Sequence, residues 1–114
     1  MDVPDELEVN GHLVVLCSVA GAADAERLAR SVVERSLAAC VNVVEGVTSF
    51  YRWQGRVQTD AERLLIIKTR AEQFEALRAA LVAEHPYEVP EVIALPIAAG
   101  HPAYLDWVSR NSAG

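Results

Sequence analysis

The stretch ACVNVVEGVTSFYRWQGRVQTDAERLLIIKT, Ala39 to Thr69, reads as a single long β-hairpin with Gln54-Gly55 at its turn. β-Branched and aromatic residues precede the turn and a dense apolar run follows it. The first arm, Cys40 to Trp53, would reach roughly 45 Å at ~3.3 Å per residue, whereas a strand of a small domain usually spans ~17–20 Å. Alternation puts Val41 and Val43 on one face and then changes phase near Glu45-Gly46. Glycine inside a strand pattern marks a bulge or bend, so the arm divides there into an inner and an outer half. The outer half, with Phe50, Tyr51 and Trp53, should overhang its own domain. An apolar ribbon open on both faces is an aggregation hazard unless it pairs with the same ribbon of other subunits, so a homo-oligomer is expected.

Outside the hairpin the elements follow in order. His12–Val19 is a continuous apolar run of strand length, expected to be covered on both faces. Leu28, Ala29, Val32, Val33 and Leu37 recur at helical spacing, which predicts a helix over about Ala23 to Leu37. Thr69-Arg70-Ala71-Glu72 has the form of a capping box, with Thr69 as N-cap of a second helix that runs to Glu84 and is stopped by His85-Pro86. Glu88–Ile97 reads as a strand that Pro90 and Pro96 confine to an edge. Pro102 opens a short C-terminal helix with Tyr104, Leu105, Trp107 and Val108 on one face, His101 is a candidate cap, and the tail Asn111–Gly114 is expected to fray. The order β-α-β-β-α-β plus a helix is the ferredoxin-like α+β pattern, one domain over 12–114 behind a flexible arm at 1–11. That fold hosts many functions and supplies none by itself.

Composition narrows the classes. A chain of 114 residues, 52% hydrophobic, can bury a core without disulfides or a structural metal. A formal net charge of −6 with no basic cluster argues against nucleic acid, which needs a basic face to neutralise phosphates. No apolar run approaches a membrane span and the acidic start MDVPDELEVNG is no signal peptide, so neither a membrane nor export is expected and the location should be cytoplasmic. The two cysteines, far apart and each in an apolar stretch, suit reduced thiols rather than a disulfide framework.

The residues that could carry chemistry are few. Cys17 and Cys40 can pack as small hydrophobes or offer thiolates to a soft metal, with His85 as a third ligand. His85 to Glu91 gathers a His, a Tyr, two acids and two prolines, which makes either a stiff connection or a preformed pocket wall. Lys68 is a paired lysine or a cation for an anionic ligand; Tyr51, Arg52 and Trp53 suit subunit contacts. There is no nucleophile with an adjacent base, no glycine-rich phosphate loop and no GxSxG, so an enzyme is not indicated and no organic cofactor is expected.

Leu37–Asn42, Ser49–Gly55, Leu64–Thr69 and above all HPYEVPEVIALPI, His85 to Ile97, closely resemble the CutA family of divalent-cation tolerance proteins, over about Leu13 to Trp107. The resemblance implies a cytoplasmic ferredoxin-like homotrimer with its long hairpins paired between subunits, and a role in tolerance to copper or another divalent metal. The family's metal pattern uses the strand 1 cysteine, here Cys17, and a His-His pair before Pro-Tyr; this chain has Glu84-His85 there. Glutamate is a harder ligand and lowers the expected Cu(I) preference. Cys17 and His85 are thus the metal ligands the resemblance implies, with Glu84 or Cys40 as further candidates. The trimeric ferredoxin-like form also resembles the PII-type regulators, which implies a small-ligand cleft near Tyr51, Trp53, Lys68 and Glu91. A structural, partner-anchoring trimer is the third reading.

Overall fold

The alternation of apolar residues along the two central strands builds the protein around one sheet. The structure, a computed structural model, describes residues 11–114, so the arm expected at 1–11 lies outside the described residues except for Gly11. The elements run β1 (His12–Val19), α1 (Ala22–Glu34), β2 (Cys40–Trp53), β3 (Arg56–Arg70), α2 (Phe74–Glu84), β4 (Ile93–Pro96) and α3 (Pro102–Asn111). The sheet order is β2-β3-β1-β4 with every pairing antiparallel, the ferredoxin-like arrangement expected from the sequence.

Burial alternates strictly along β1: Leu13, Val15, Cys17 and Val19 face α1 and α2 and are sealed. Leu65 and Ile67 of β3 join them, with Leu28 and Val32 of α1 and Leu77 and Leu81 of α2 completing the core. The expected double-sided cover of β1 is therefore corrected, since Val14, Leu16 and Ser18 on the other face are only half-buried. α3 lies across that second face at one end. His12 Nε2 meets Ser109 Oγ at 2.8 Å, and Arg70 Nε donates to the Ser112 carbonyl. The rest of this face, with Ile93 and Leu95 each 50% exposed, has no helix over it among the described residues.

The hairpin is as long as its sequence implies, with 14 residues in β2 and 15 in β3. Gln54 and Gly55 both have positive φ, 51° and 77°, the two-residue turn whose twist matches paired strands. Register slips between Val44 and Val47, where Gly46 sits at φ 76°: Glu45 and Gly46 bulge against Arg63. β1 pairs with β3 only over Arg63–Arg70, so Arg56–Glu62 and their β2 partners extend past the end of β1. Phe50 is 72% and Val57 66% exposed on this overhang.

Four local expectations need correction. α1 ends at Glu34 because Ser36 takes a left-handed φ of 56°, and the Leu37 and Ala38 amides turn back to the Val32 carbonyl. Thr69 is not a helix cap: it pairs with Leu13 in the sheet, is fully buried, and donates its Oγ1 hydroxyl to the Leu37 carbonyl at 2.8 Å. A short 3-10 turn over Ala71–Gln73 leads into α2 instead, and Glu72 pairs with Arg70. The last strand is only Ile93–Pro96, at the sheet edge, because Glu88 to Val92 make no ladder with β1. The C-terminal tail is tied down, with Ser112 fully buried and the Gly114 amide bonded to the Ser36 carbonyl.

Candidate functional site

Sheet alternation decides which of the expected metal ligands can meet. Cys17 lies opposite Leu65, on the helix-covered face; Cys40 lies opposite Lys68, whose own partner is Val14, on the other face. The two thiols therefore sit on opposite sides of the sheet. Cys17 is fully buried, and burial first, then the charges of Glu91 and Glu62, push its thiol up to about 12. A metal-binding thiolate needs the reverse environment.

His85 lies at the end of α2, where its backbone turns extended before Pro86. Its Nε2 donates to the Ser18 carbonyl at 2.8 Å, and its Nδ1 accepts the Tyr87 amide at 3.1 Å. A carbonyl can only accept and an amide N–H can only donate, so the ring is the neutral Nε2–H form with both nitrogens in use. Its ring also packs edge-on against Tyr87, with centroids 4.5 Å apart. Glu84 points to α1, where Arg35 holds its carboxylate at 2.9 Å. Among the described residues no three His, Cys, Asp or Glu side chains converge in metal-binding geometry. The expected set of Cys17, Cys40, Glu84 and His85 does not fit a single metal centre.

The second set fares differently. Tyr51, Trp53 and Glu91 line one cleft of about 640 Å³, bounded by Ser18 and Ala20 at the end of β1 and by the overhanging hairpin. Lys68 lies outside it, bonded to Asn42 Oδ1 at the inner end of the hairpin. Three further acids complete the lining: Asp60 and Glu62 from β3, and Glu88 from the connection before β4. Asp60 and Glu62 are two residues apart on one strand and so share a face, the one that carries Tyr51 and Trp53 beyond the bulge. Tyr51 Oη donates to Asp60, and Tyr87 Oη donates to Glu62 at 2.6 Å. Burial, together with the bond to Glu62, raises the Tyr87 phenol above its ordinary 10.0, so it remains a donor at neutral pH. Neither Asp60 nor Glu62 stands out in the sequence. Their i, i+2 spacing, opposite Ser49 and Val47 and diagonal to Tyr51, is the available signal.

At the other end of that face, Cys40 is half-buried beside Tyr104 of α3, whose phenol is raised by burial and then by the neighbouring thiol. Tyr104 stacks on Trp107 with centroids 5.7 Å apart.

The class the structure defines is a ferredoxin-like α+β sandwich with an overhanging hairpin and a carboxylate- and aromatic-lined cleft beside it. The CutA1 divalent ion tolerance protein family matches residues 13–111, and the chain belongs to that family. It is 50% identical over 99 residues to the divalent-cation tolerance protein CutA of Thermus thermophilus, covering 87% of this chain and 96% of that one. It is also 50% identical over 100 residues to the chloroplastic CutA 1 of rice, covering 88% of this chain but 56% of the relative. The solved Thermus structure superposes with a TM-score of 0.87 over 89% of this chain and 98% of its own. The periplasmic CutA of Archaeoglobus fulgidus superposes with a TM-score of 0.86 at 35% identity, over 89% of this chain and 98% of its own.

Proposed function

We propose that the protein serves divalent-cation tolerance as a homotrimeric binding protein, not a catalyst, and that its working site is the cleft of Tyr51, Trp53 and Glu91. One observation carries this reading: the overhanging half of the hairpin walls the cleft and, among the described residues, has no strand or helix covering it. The helix-free part of the sheet, with Leu16, Ile66, Ile93 and Leu95, supports association, because a contiguous apolar face of this kind marks an interface. A Cu(I) contact separate from the cleft is proposed at Cys40, the thiol with solvent access at the other end of the same face, and not at Cys17 with His85. We also propose a cytoplasmic location; free thiols on opposite sheet faces suit a reducing compartment, and no described helix is long and apolar enough to cross a membrane.

Two measurements test this. Sedimentation equilibrium should return a mass near three times the 12.4 kDa chain, and Leu16→Glu with Ile66→Glu should abolish that assembly. A monomeric wild type sinks the reading. Anaerobic Cu(I) competition against a chromogenic chelator should be unaffected by Cys17→Ser and His85→Ala and weakened by Cys40→Ser. Loss of competition in His85→Ala with the assembly intact would restore the Cys17–His85 site.

A further inference from the structure

The overhang carries its charges in an order. On the face of the outer hairpin that holds Tyr51 and Trp53, β3 presents Arg56 opposite Trp53 beside the turn and then, at steps of two, Gln58, Asp60 and Glu62 toward the base. The tip of this face is positive and its base negative. Arg52, the other cation near the turn, lies opposite Val57 on the reverse face and donates to the Gly55 carbonyl at 3.3 Å.

Neither pole is answered within the chain. Among the described residues the ion pairs include neither Arg56 nor Asp60. Asp60 Oδ2 accepts from the neutral phenol of Tyr51, which leaves Oδ1 for a second donor. Arg63, the cation nearest the base, is already held by Glu45 at 2.7 Å and by the Ala20 carbonyl. Arg56 and Asp60 cannot serve each other in one chain: four strand residues set them about 13 Å apart, farther than the roughly 10 Å at which salt screens exposed charges. Left in water, both would stay solvated at little cost. The overhang is, however, the surface that assembly covers, with Phe50 72% and Val57 66% exposed on the same ribbon. A charge taken out of water without a partner is costly, so that cover must bring an acid to the tip and a cation to the base. A second copy of the hairpin supplies both. A contact of one copy's tip with the next copy's base joins two different surfaces, and a heterologous contact of this kind closes into a ring.

We propose that the hairpin tip of each subunit seats at the mouth of the next subunit's cleft, where Arg56 pairs with that subunit's Asp60, so that every cleft is built from two chains. This rests on the proposed trimer with the cleft as its working site, and it brings a cation to a lining whose own charged residues, Asp60, Glu62, Glu88 and Glu91, are all acids.

Subunit exchange between unlabelled and isotope-labelled full-length protein, followed by native mass spectrometry, tests it in wild type, Arg56→Asp, Asp60→Arg and the doubly substituted chain. Each single substitution sets like charges against each other and should speed exchange at least tenfold. The double substitution rebuilds the pair with its signs reversed and should return the rate to within threefold of wild type. Both positions are exposed and too far apart to meet within a chain, so recovery reports a contact between copies. Exchange indifferent to Arg56→Asp, or a double variant as fast as the single ones, overturns the proposal. With a trimeric wild type either result refutes this contact alone, whereas a monomeric wild type refutes the proposed function as well.

Discussion

Replacing Cys17 by alanine should remove an alkaline weakness that its position builds into the fold. The thiol is sealed between β3 and the helices and is pushed from its ordinary 9.0 to about 12, chiefly by burial. In the unfolded chain it ionises near 9, while in the native state it keeps its proton. Above that pH the unfolded state binds fewer protons than the native one, so stability falls as pH rises. From the two values the loss is about 0.4 kcal/mol at pH 9 and about 1.4 kcal/mol at pH 10, with almost none at pH 8. The alanine variant should start about 1–2 kcal/mol below wild type at pH 8, for the sulfur lost from a packed core. Its deficit should then close by about 1.4 kcal/mol by pH 10, because only wild type carries the penalty. Tyr51 and Tyr87 also shift upward, but they are present in both proteins and cancel in the difference. Urea unfolding at one fixed protein concentration and at pH 8, 9 and 10 measures this. Parallel stability curves for the two proteins would refute the burial argument.

Three further outcomes follow from single contacts. Under native conditions one thiol per chain, Cys40, should react with an aromatic disulfide reagent, and Cys17 only after denaturant is added; two fast thiols would contradict the packing. Thr69→Val should lower stability by about 1–3 kcal/mol, since it deprives the Leu37 carbonyl of its buried donor, and a change within error in chemical unfolding would show that contact to be idle. Gln54→Asn should raise the melting temperature, because asparagine tolerates the left-handed φ of 51° better than glutamine; a lower value would mean that the turn is not of the assumed type.

Sequence patterning is legible wherever one period dominates. The alternating and continuous apolar runs gave β1 and both arms of the hairpin, and Gly46 and Gln54-Gly55 marked the bulge and turn, since each demands a backbone that few other residues adopt. Thr69 misled because its local motif competed with a long-range one. Thr-x-x-Glu is a helix start in isolation, but pairing with Leu13 and a bond to Leu37 were available only in the folded sheet. Strand 4 was overdrawn for a similar reason: the apolar run from Val89 to Ile97 records contact with the core and cleft as well as ladder pairing, and pattern alone does not separate the two. In the candidate site, Tyr51, Trp53 and Glu91, but not Lys68, line the cleft that the likeness to PII-type regulators implied, while Asp60 and Glu62 stayed hidden because exposed-looking acids are common on strands.

The bulge at Gly46 ties these features together. Without the two-for-one slip opposite Arg63, a strict period of two would turn Tyr51 and Trp53 to the other side of β2, away from Asp60 and Glu62. Beyond the slip the outer hairpin runs past the end of β1, and the slip decides which of its apolar side chains lie on each face. One glycine at φ 76° thus sets both the composition of the cleft and the surface left for other subunits. A substitution there should disturb ligand binding and assembly in parallel, whereas one at Trp53 or Glu62 should separate them.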